Sequence, residues 1–340
     1  MRRATLKDVA IHAGVSPATV SYVLNGKKKT ISKETKERIY KAVKELEYIP
    51  DMNARGLAAK DTKLIGVVVP QTEPGSKLMF QNDFYSEILG SIEYHARLRG
   101  YHVIISGTNV DENYMKLVQE RNLAGVIIIG MYADDFYEQF KKIQIPVVLI
   151  DCYCKDNFFH DIRIDDAFGS YQATQYVINQ GHRAIAFLCG TLKENGVMKK
   201  RFNGYCQALL EAGIPFRQDY VFEGEVDYES GITFADRIAD DHKGITAIVA
   251  MADTLAIGIM KGLYNRGVKV PEDISVMGFD DLEISGYLIP GLTTIKQDIS
   301  LKGEHAVEIL VKNMNDPDMD KQEEVLPTGL TVRDSVRKIN

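Results

Sequence analysis

The sequence predicts an α/β protein in two parts, a small helical head at the N-terminus and a larger core of two lobes with parallel sheets. Three observations carry that expectation. The first fifty residues hold capped helical segments separated by tight turns. From Leu64 onward, short continuous apolar runs alternate with amphipathic stretches in two similar series, and the two parts carry opposite net charge.

Thr5 followed three residues later by Asp8 is a capping-box pattern, so a first helix begins there and sets Leu6, Val9, Ala10 and Ala13 on one face. Gly14 permits the tight turn that follows. Ser16 caps the next helix by accepting from its orphan N–H groups, and Pro17 takes the first helical position, where its missing donor costs nothing. This second helix runs from Pro17 to about Leu24. It buries Val20 and one or both of Val23 and Leu24, leaving Pro17, Ala18, Ser21 and Tyr22 outward. Ser32 opens a third helix. Two short helices with the second one presented form a helix-turn-helix, the arrangement that reads DNA.

Residues 1–60 contain 13 Lys and Arg against 6 Asp and Glu, a net of +7, which leaves −13 for the remainder of a chain whose total is −6. Lys27-Lys-Lys29, Lys33, Lys36, Arg38, Lys41 and Lys44 flank the second helix and can neutralise phosphates, each such contact adding roughly −0.9 to the salt slope of log K. A merely solvated helix face is the competing reading for Lys41 and Lys44.

At 340 residues, 45% apolar and 26% charged, the chain has room for two or three domains with proper cores. It lacks an apolar stretch of membrane-spanning length and a signal-peptide pattern, so it reads as cytoplasmic, with no membrane partner. Cys152, Cys154, Cys189 and Cys206 have no zinc-site spacing; buried free thiols are expected for most, and neither metal nor cofactor is expected. The chain has no GxGxxG after a strand, no GxxxxGK[ST], no HExxH and no GxSxG, which argues against an enzyme.

The core begins with Leu64-Ile-Gly-Val-Val-Val and a helix from about Phe84 to Arg99, then Val103-Ile-Ile, Gly125-Val-Ile-Ile-Ile and Pro146-Val-Val-Leu-Ile. A second series follows: Ile162-Arg-Ile, Ala184-Ile-Ala-Phe-Leu, Ala247-Ile-Val-Ala and Ile274-Ser-Val-Met-Gly, with helices near 167–180, 200–212, 229–240 and 253–266. Continuous apolar strands between helices mean parallel sheets covered on both faces, and two series imply two lobes with a cleft between them. Thr293-Thr-Ile-Lys-Gln with a helix over 299–314 reads as a further βα unit after the second lobe, and a hairpin is expected around Pro327-Thr-Gly329.

These residues resemble the lactose-repressor/galactose-repressor (LacI/GalR) family. The resemblance is carried by Thr5-Leu-Lys-Asp-Val-Ala, Gly14-Val-Ser-Pro-Ala-Thr-Val-Ser, Glu47-Tyr-Ile-Pro50 and Asn53-Ala-Arg-Gly-Leu-Ala58 in the head. In the core it rests on Asn82-Asp-Phe-Tyr, Gly181-His-Arg, Arg201-Phe-Asn-Gly-Tyr, Val276-Met-Gly-Phe-Asp-Asp281 and Leu292-Thr-Thr-Ile. It implies a dimeric transcriptional repressor of carbohydrate genes, with a type I periplasmic-binding-protein-like core, whose affinity for a palindromic double-stranded operator changes with a small sugar-like effector. The implied domains are a DNA-binding head at 1–50, a hinge at 51–62 and a core at 63–340. Lobe one is then expected over about 63–161 and 292–320, and lobe two over about 162–291 and 321–340. The competing reading is a cytosolic sugar sensor acting through a protein partner.

The resemblance assigns DNA contacts to Thr5, Ser16, Pro17, Ala18, Thr19, Ser21, Tyr22 and Asn25, and makes Leu57 an apolar wedge in the minor groove. A plain linker is the alternative for the hinge. Pro17, Ala18 and Tyr22 are the expected base readers. Most relatives carry Arg where Tyr22 stands, so the half-site is expected to differ at that base, unless Tyr22 packs on the first helix and touches only phosphate.

For the effector, the resemblance points to Phe84, Tyr85, Asp151, Arg201, Asp253 and Asp280. Asp151 and Asp280 close strands, where a cleft would be lined, and carboxylates with a guanidinium suit a polyol. The alternatives are a turn cap for Asp280, a surface charge for Arg201 and a core role for Phe84 and Tyr85. Two features depart from the family pattern: Ala252 replaces a common Asn, and the loop between Pro70 and Asn82 is several residues longer than usual. The tail from Thr331 shows no leucine heptads, so a dimer is expected rather than a tetramer.

Overall fold

The computed structural model describes residues 4–24, 31–48, 62–71, 79–109, 121–130, 137–138, 141–153, 158–241 and 244–339. The chain divides into two compact units, Met1–Thr62 and Lys63–Asn340.

The smaller unit holds α1 (Leu6–Ala13), α2 (Pro17–Leu24) and α3 (Lys33–Glu45). Its caps follow from the sequence. The Thr5 hydroxyl accepts from the Asp8 amide at 3.3 Å while the Asp8 carboxylate accepts from the Thr5 amide at 2.8 Å. Gly14 ends α1 at φ 65°, a left-handed conformation that glycine adopts without penalty. Ser16 and Ser32 accept from the amides of Thr19 and Thr35. Val9, Ala10, Ala13, Val20, Val23, Ile39, Ala42 and Tyr48 form its buried core.

The larger unit has two six-stranded sheets of the same winding. The first comprises β1 (Leu64–Gln71), β2 (His102–Asn109), β3 (Gly125–Ile129), β4 (Val147–Ile150), β5 (His160–Ile164) and β11 (Glu323–Leu326), in the order β11-β5-β4-β3-β1-β2, all parallel. The second comprises β6 (Ile185–Cys189), β7 (Val221–Glu223), β8 (Ala247–Ala250), β9 (Ser275–Asp280), β10 (Thr293–Gln297) and β12 (Thr328–Thr331). Its order is β12-β10-β9-β8-β6-β7, with only β12 antiparallel. Strands β3, β4, β6, β8 and β9 are buried along their whole length, as continuous apolar runs between helix layers must be.

Helices α4 (Asp83–Leu98) and α9 (Ile299–Asn315) pack together on the first sheet. Helices α5 (Asp166–Asn179), α6 (Val197–Glu211), α7 (Tyr228–Asp241) and α8 (Asp253–Asn265) belong to the second lobe, where α5 packs on α6 and α7 on α8. Glycines set these approaches: a methyl group at Gly204 would overlap the Ala167 carbonyl oxygen, and one at Gly258 the Tyr228 carbonyl oxygen.

The strand assignments differ from expectation in five places. Ile162-Arg-Ile, expected to open the second series in lobe two, lies in β5 and completes the pairing of β4 in the first sheet. Strand β10 is a member of the second sheet rather than the start of a new unit in lobe one, and β11 edges the first sheet rather than the second. Hence 292–297 sits with lobe two and 323–326 with lobe one, the reverse of the expected boundaries. No hairpin forms around Pro327, because β11 and β12 lie in different sheets. Proline cannot donate to a ladder, and here it carries the chain from one sheet to the other instead of folding it back. Strand β7 was not expected; its three residues are too short to show a period.

The chain therefore crosses between lobes three times, between β5 and α5, between β10 and α9, and at Pro327. An aspartate caps the helix at each of the first two crossings: Asp165 accepts from the Phe168 amide at 2.9 Å and Asp298 from the Leu301 amide at 2.8 Å. Among the described residues, no helix is long and apolar enough to cross a membrane.

Candidate functional site

In the head, Ser16, Pro17 and Ala18 are exposed at the start of α2, while Thr19, Ser21 and Tyr22 are half-buried. Thr5 and Ser16 both spend an oxygen on helix caps. The exposed Lys33, Lys36, Arg38, Lys41 and Lys44 lie on α3. Asn25, Leu57 and Lys27-Lys-Lys29 fall outside the described residues.

In the larger unit, the carboxyl ends of both sheets converge on one buried polar chain. Asp151 follows β4 at φ 53°, Asp280 ends β9 at φ 123°, and Asp281 follows at φ 59°. Non-glycine residues in this region cost about 1–3 kcal/mol each and persist where the surroundings dictate them, commonly at ligand clamps. From lobe one, the Lys302 ammonium donates to both Asp151 oxygens at 2.8 Å and to Gln297 Oε1 at 2.7 Å. Gln297 Nε2 then donates to Asp280 Oδ1 at 2.5 Å. Arg201, on α6, lies 3.8 Å from Asp280, donates through Nε to Asp166 at 2.7 Å and through Nη1 to the Met251 carbonyl at 2.6 Å, and stacks 3.7 Å above the Phe279 ring. The Tyr153 hydroxyl closes the chain by donating to Asp166 at 2.7 Å.

The network spans two of the crossings. Asp151, Tyr153 and Lys302 come from lobe one; Gln297, Asp280, Arg201 and Asp166 come from lobe two. A separate lobe-to-lobe bond joins the Tyr228 hydroxyl, at the start of α7, to Asp83 at the start of α4. Phe84 and Tyr85 are half-buried and packed against the first core, their rings 5.5 Å apart edge to face. Phe84 lies 5.8 Å from the Lys302 ammonium, and the Tyr85 hydroxyl sits beside Gly130 at the end of β3. Both residues thus pack inward and still reach the strand ends.

Asp253 departs from its expected role. It is fully buried, and its carboxylate accepts from the Leu282 amide at 2.9 Å and from the Ser285 and Thr294 hydroxyls at 2.6 Å, all inside lobe two. Those bonds tie α8 to the segment after β9 and to β10, so Asp253 supports Asp280 from behind. Asp166, Tyr153, Gln297 and Lys302 were not foreseen. A signal existed for Lys302: it falls on the buried face of α9 with Ile299, Ala306, Val307 and Leu310, and a lysine in a core register must be paired.

Burial raises the carboxyls here. Asp253 is pushed up to about 7 by desolvation and then by the neighbouring Asp280, and Asp280 to about 6 by desolvation against the pull of Arg201. Desolvation also raises Asp151 against the pull of Lys302. A carboxyl raised on folding binds its proton more tightly in the native chain than in the unfolded one, so its contribution is fully favourable below about pH 4 and is lost as pH rises towards about 7. Asp253→Asn removes the larger of these contributions. In urea melts between pH 4.5 and 7.5, the variant is expected to lose stability less steeply than the parent as pH rises, and equal slopes would refute the assignment.

Residues 5–51 match the family described as bacterial regulatory proteins, lacI family, and residues 174–336 match a periplasmic binding protein-like domain. The chain is 33% identical to the HTH-type transcriptional repressor PurR of Vibrio parahaemolyticus, over 99% of this chain and all of that one. It is 34% identical to catabolite control protein A of Priestia megaterium, over 98% and 99% of the two chains. Among solved structures, it is similar to the Lac repressor dimer bound to operator and the anti-inducer ONPF (TM-score 0.84, 28% identity, 99% and 100% coverage). It is also similar to the transcriptional regulator CelR in complex with cellobiose (TM-score 0.70, 28% identity, 98% and 100% coverage).

Proposed function

The chain belongs to the LacI family of bacterial regulatory proteins, and on that footing we propose that its head reads operator half-sites through α2 while a sugar-like effector binds between its lobes. The protein is a DNA-binding transcriptional repressor whose operator affinity is modulated by a small molecule, and it works as a dimer. A regulator of this family has no reaction to catalyse, and its work on DNA puts it in the cytoplasm.

The observation that carries the effector reading is the convergence of Asp280, Arg201 and Asp151 at strand ends contributed by both lobes. Ligands of doubly wound sheets bind at such ends. A molecule held there contacts two bodies that move relative to one another, and it shifts operator affinity to the extent that it binds the two arrangements unequally, typically by about 5–150-fold. Asp280 and Arg201 are the polar recognition groups in this reading, Asp151 supplies remaining acceptor capacity from lobe one, and Phe84 and Tyr85 give an aromatic wall. Asp253 positions Asp280.

For the head, Pro17 and Ala18 are exposed at the start of α2 and offer apolar contacts of the kind a thymine methyl accepts. Tyr22 offers a single hydroxyl and reads a base less stringently than a two-pronged side chain. Selection of bound duplexes from a random pool by the full-length protein tests the whole reading: a palindrome with a central step suited to kinking is expected, and absence of enrichment would favour a sensor working through another protein. Tyr22→Arg is expected to move the preference at one position of each half-site to guanine, worth about 1–3 kcal/mol of discrimination. An unchanged selected site would sink the base-reading role.

Two copies are expected to meet through the second lobe. Tyr264, in the last turn of α8, is 75% exposed, and Tyr287 and Ile289, in the segment before β10, are 76% and 98% exposed. Both segments lie at the amino ends of the second sheet's strands, a face whose bare apolar side chains suit self-association.

A further inference from the structure

The following inference rests on the effector site proposed above and names the class of ligand it takes. We infer that the cleft accepts an uncharged, hydroxyl-rich effector and discriminates against phosphorylated or carboxylated derivatives, because its two buried cations are already matched by the chain's own acids.

Lys302 is fully buried, and its ammonium has three N–H donors. Asp151 Oδ1, Asp151 Oδ2 and Gln297 Oε1 take all three. It has no donor left for a ligand anion. Arg201 keeps more capacity, since it uses Nε and Nη1 on the protein and leaves its Nη2 groups as donors for a hydroxyl. Its charge is nevertheless shared between Asp166 at 2.7 Å and Asp280 at 3.8 Å. The buried Asp166 and Asp280 and the half-buried Asp151 thus stand against two cations, and an entering anion would add a fourth negative charge in a largely desolvated space, where repulsion is screened least.

The approach to the site has the same sign. The exposed Glu87 carboxyl of α4 is raised above its ordinary value by partial desolvation and then by Asp298, Asp280, Glu283 and Asp281, so acids of lobe two face an acid of lobe one. Of the cations nearby, Arg333 pairs with Asp281 at 2.7 Å, and the Lys200 ammonium lies over the Tyr153 ring, 5.0 Å from its centre, at the Tyr153 end of the network. A sugar hydroxyl suits these surroundings because it donates to a carboxylate and accepts from a guanidinium without bringing charge. Lys302 is thus spent on the protein: it neutralises Asp151 and offers no donor to a ligand, so the preference rests on the charge balance of the site and not on a contact from Lys302.

The test uses the full chain in thermal-shift and calorimetric titrations with ribose, glucose and glucitol beside ribose 5-phosphate, glucose 6-phosphate and gluconate. At least one uncharged member is expected to bind, with its charged counterpart at least about tenfold weaker. A charged member that binds as tightly as its parent overturns the inference, as does failure of every uncharged member up to its solubility limit. Lys302→Met together with Asp151→Asn removes a matched pair, which preserves folding, and is expected to keep the preference. A preference that inverts in the double variant would show that Lys302 had been reading the ligand. Asp280→Asn separates the two levels of failure. If binding of a phosphorylated sugar is lost in that variant, the site stands and the class is wrong; if binding of an uncharged sugar survives unchanged, the ligand lies elsewhere and the site reading falls.

Discussion

Replacing Arg201 with methionine is expected to cost the larger unit about 3–5 kcal/mol and to abolish the effector response. The guanidinium is 5% exposed, bonded to Asp166 and to the Met251 carbonyl, and stacked on Phe279. Methionine fills much of the volume but leaves Asp166 fully buried with the Tyr153 hydroxyl as its remaining described side-chain partner. An uncompensated buried carboxylate is what makes the loss large; the pair itself contributes less than its removal suggests. In a unit of this size the change corresponds to a fall in melting temperature of roughly 10 °C. Adding Asp166→Asn removes the stranded charge, so the double variant should recover a substantial part of the stability but none of the response. Calorimetry of the four proteins in the cycle checks this. Additive losses would show that Arg201 and Asp166 are not energetically coupled.

Ile289→Asp is expected to convert the dimer to monomer at micromolar concentration and to weaken operator binding by about 10²–10⁴-fold. In a two-fold interface each substitution occurs twice, so a loss of about 2 kcal/mol per apolar anchor is doubled, and the new carboxylate meets its own copy across the axis. The loss on DNA follows separately: a monomer engages one half-site and forfeits the high effective concentration that a linked second head provides. Light scattering and anisotropy with whole and half operators measure both effects. The variant should bind the half-site as its parent does, since residue 289 belongs to the unit that lacks the head. Persistence of the dimer in both Ile289→Asp and Tyr264→Asp would move the interface elsewhere.

The head was legible because its signals are local. Thr5, Asp8, Gly14, Ser16 and Pro17 each act within four residues of where they stand, and the structure uses the first four as caps and turns. The core elements were legible from periodicity, but their grouping was not. Nothing within Thr293–Gln297 says which sheet receives it, because a parallel strand buried on both faces looks alike in either lobe. The site divided along the same line. Asp280 and Arg201 carried recognisable neighbours, whereas Asp166, Gln297 and Lys302 matter through partners up to 151 residues away, as in the Lys302–Asp151 bond. Asp253 misled for the opposite reason. Its place at the start of α8, after a buried strand, looks like a cleft position, yet its carboxylate turns into the lobe.

The three crossings also govern when the fold can be completed during synthesis. Strand β5 pairs along one edge with β11, so Asp161 waits for Glu323, and the second sheet receives β12 only a few residues later. Both sheets therefore keep an unpaired edge until residues 323–331 have been made, and neither lobe is finished before the other. At synthesis rates of about 5–20 residues per second, the interval between Ile164 and Glu323 leaves the β5 edge open for roughly ten to thirty seconds. The nascent first lobe is the stage most exposed to mispairing and to chaperone capture, and loss of the last eighteen residues, 323–340, would deprive both lobes at once.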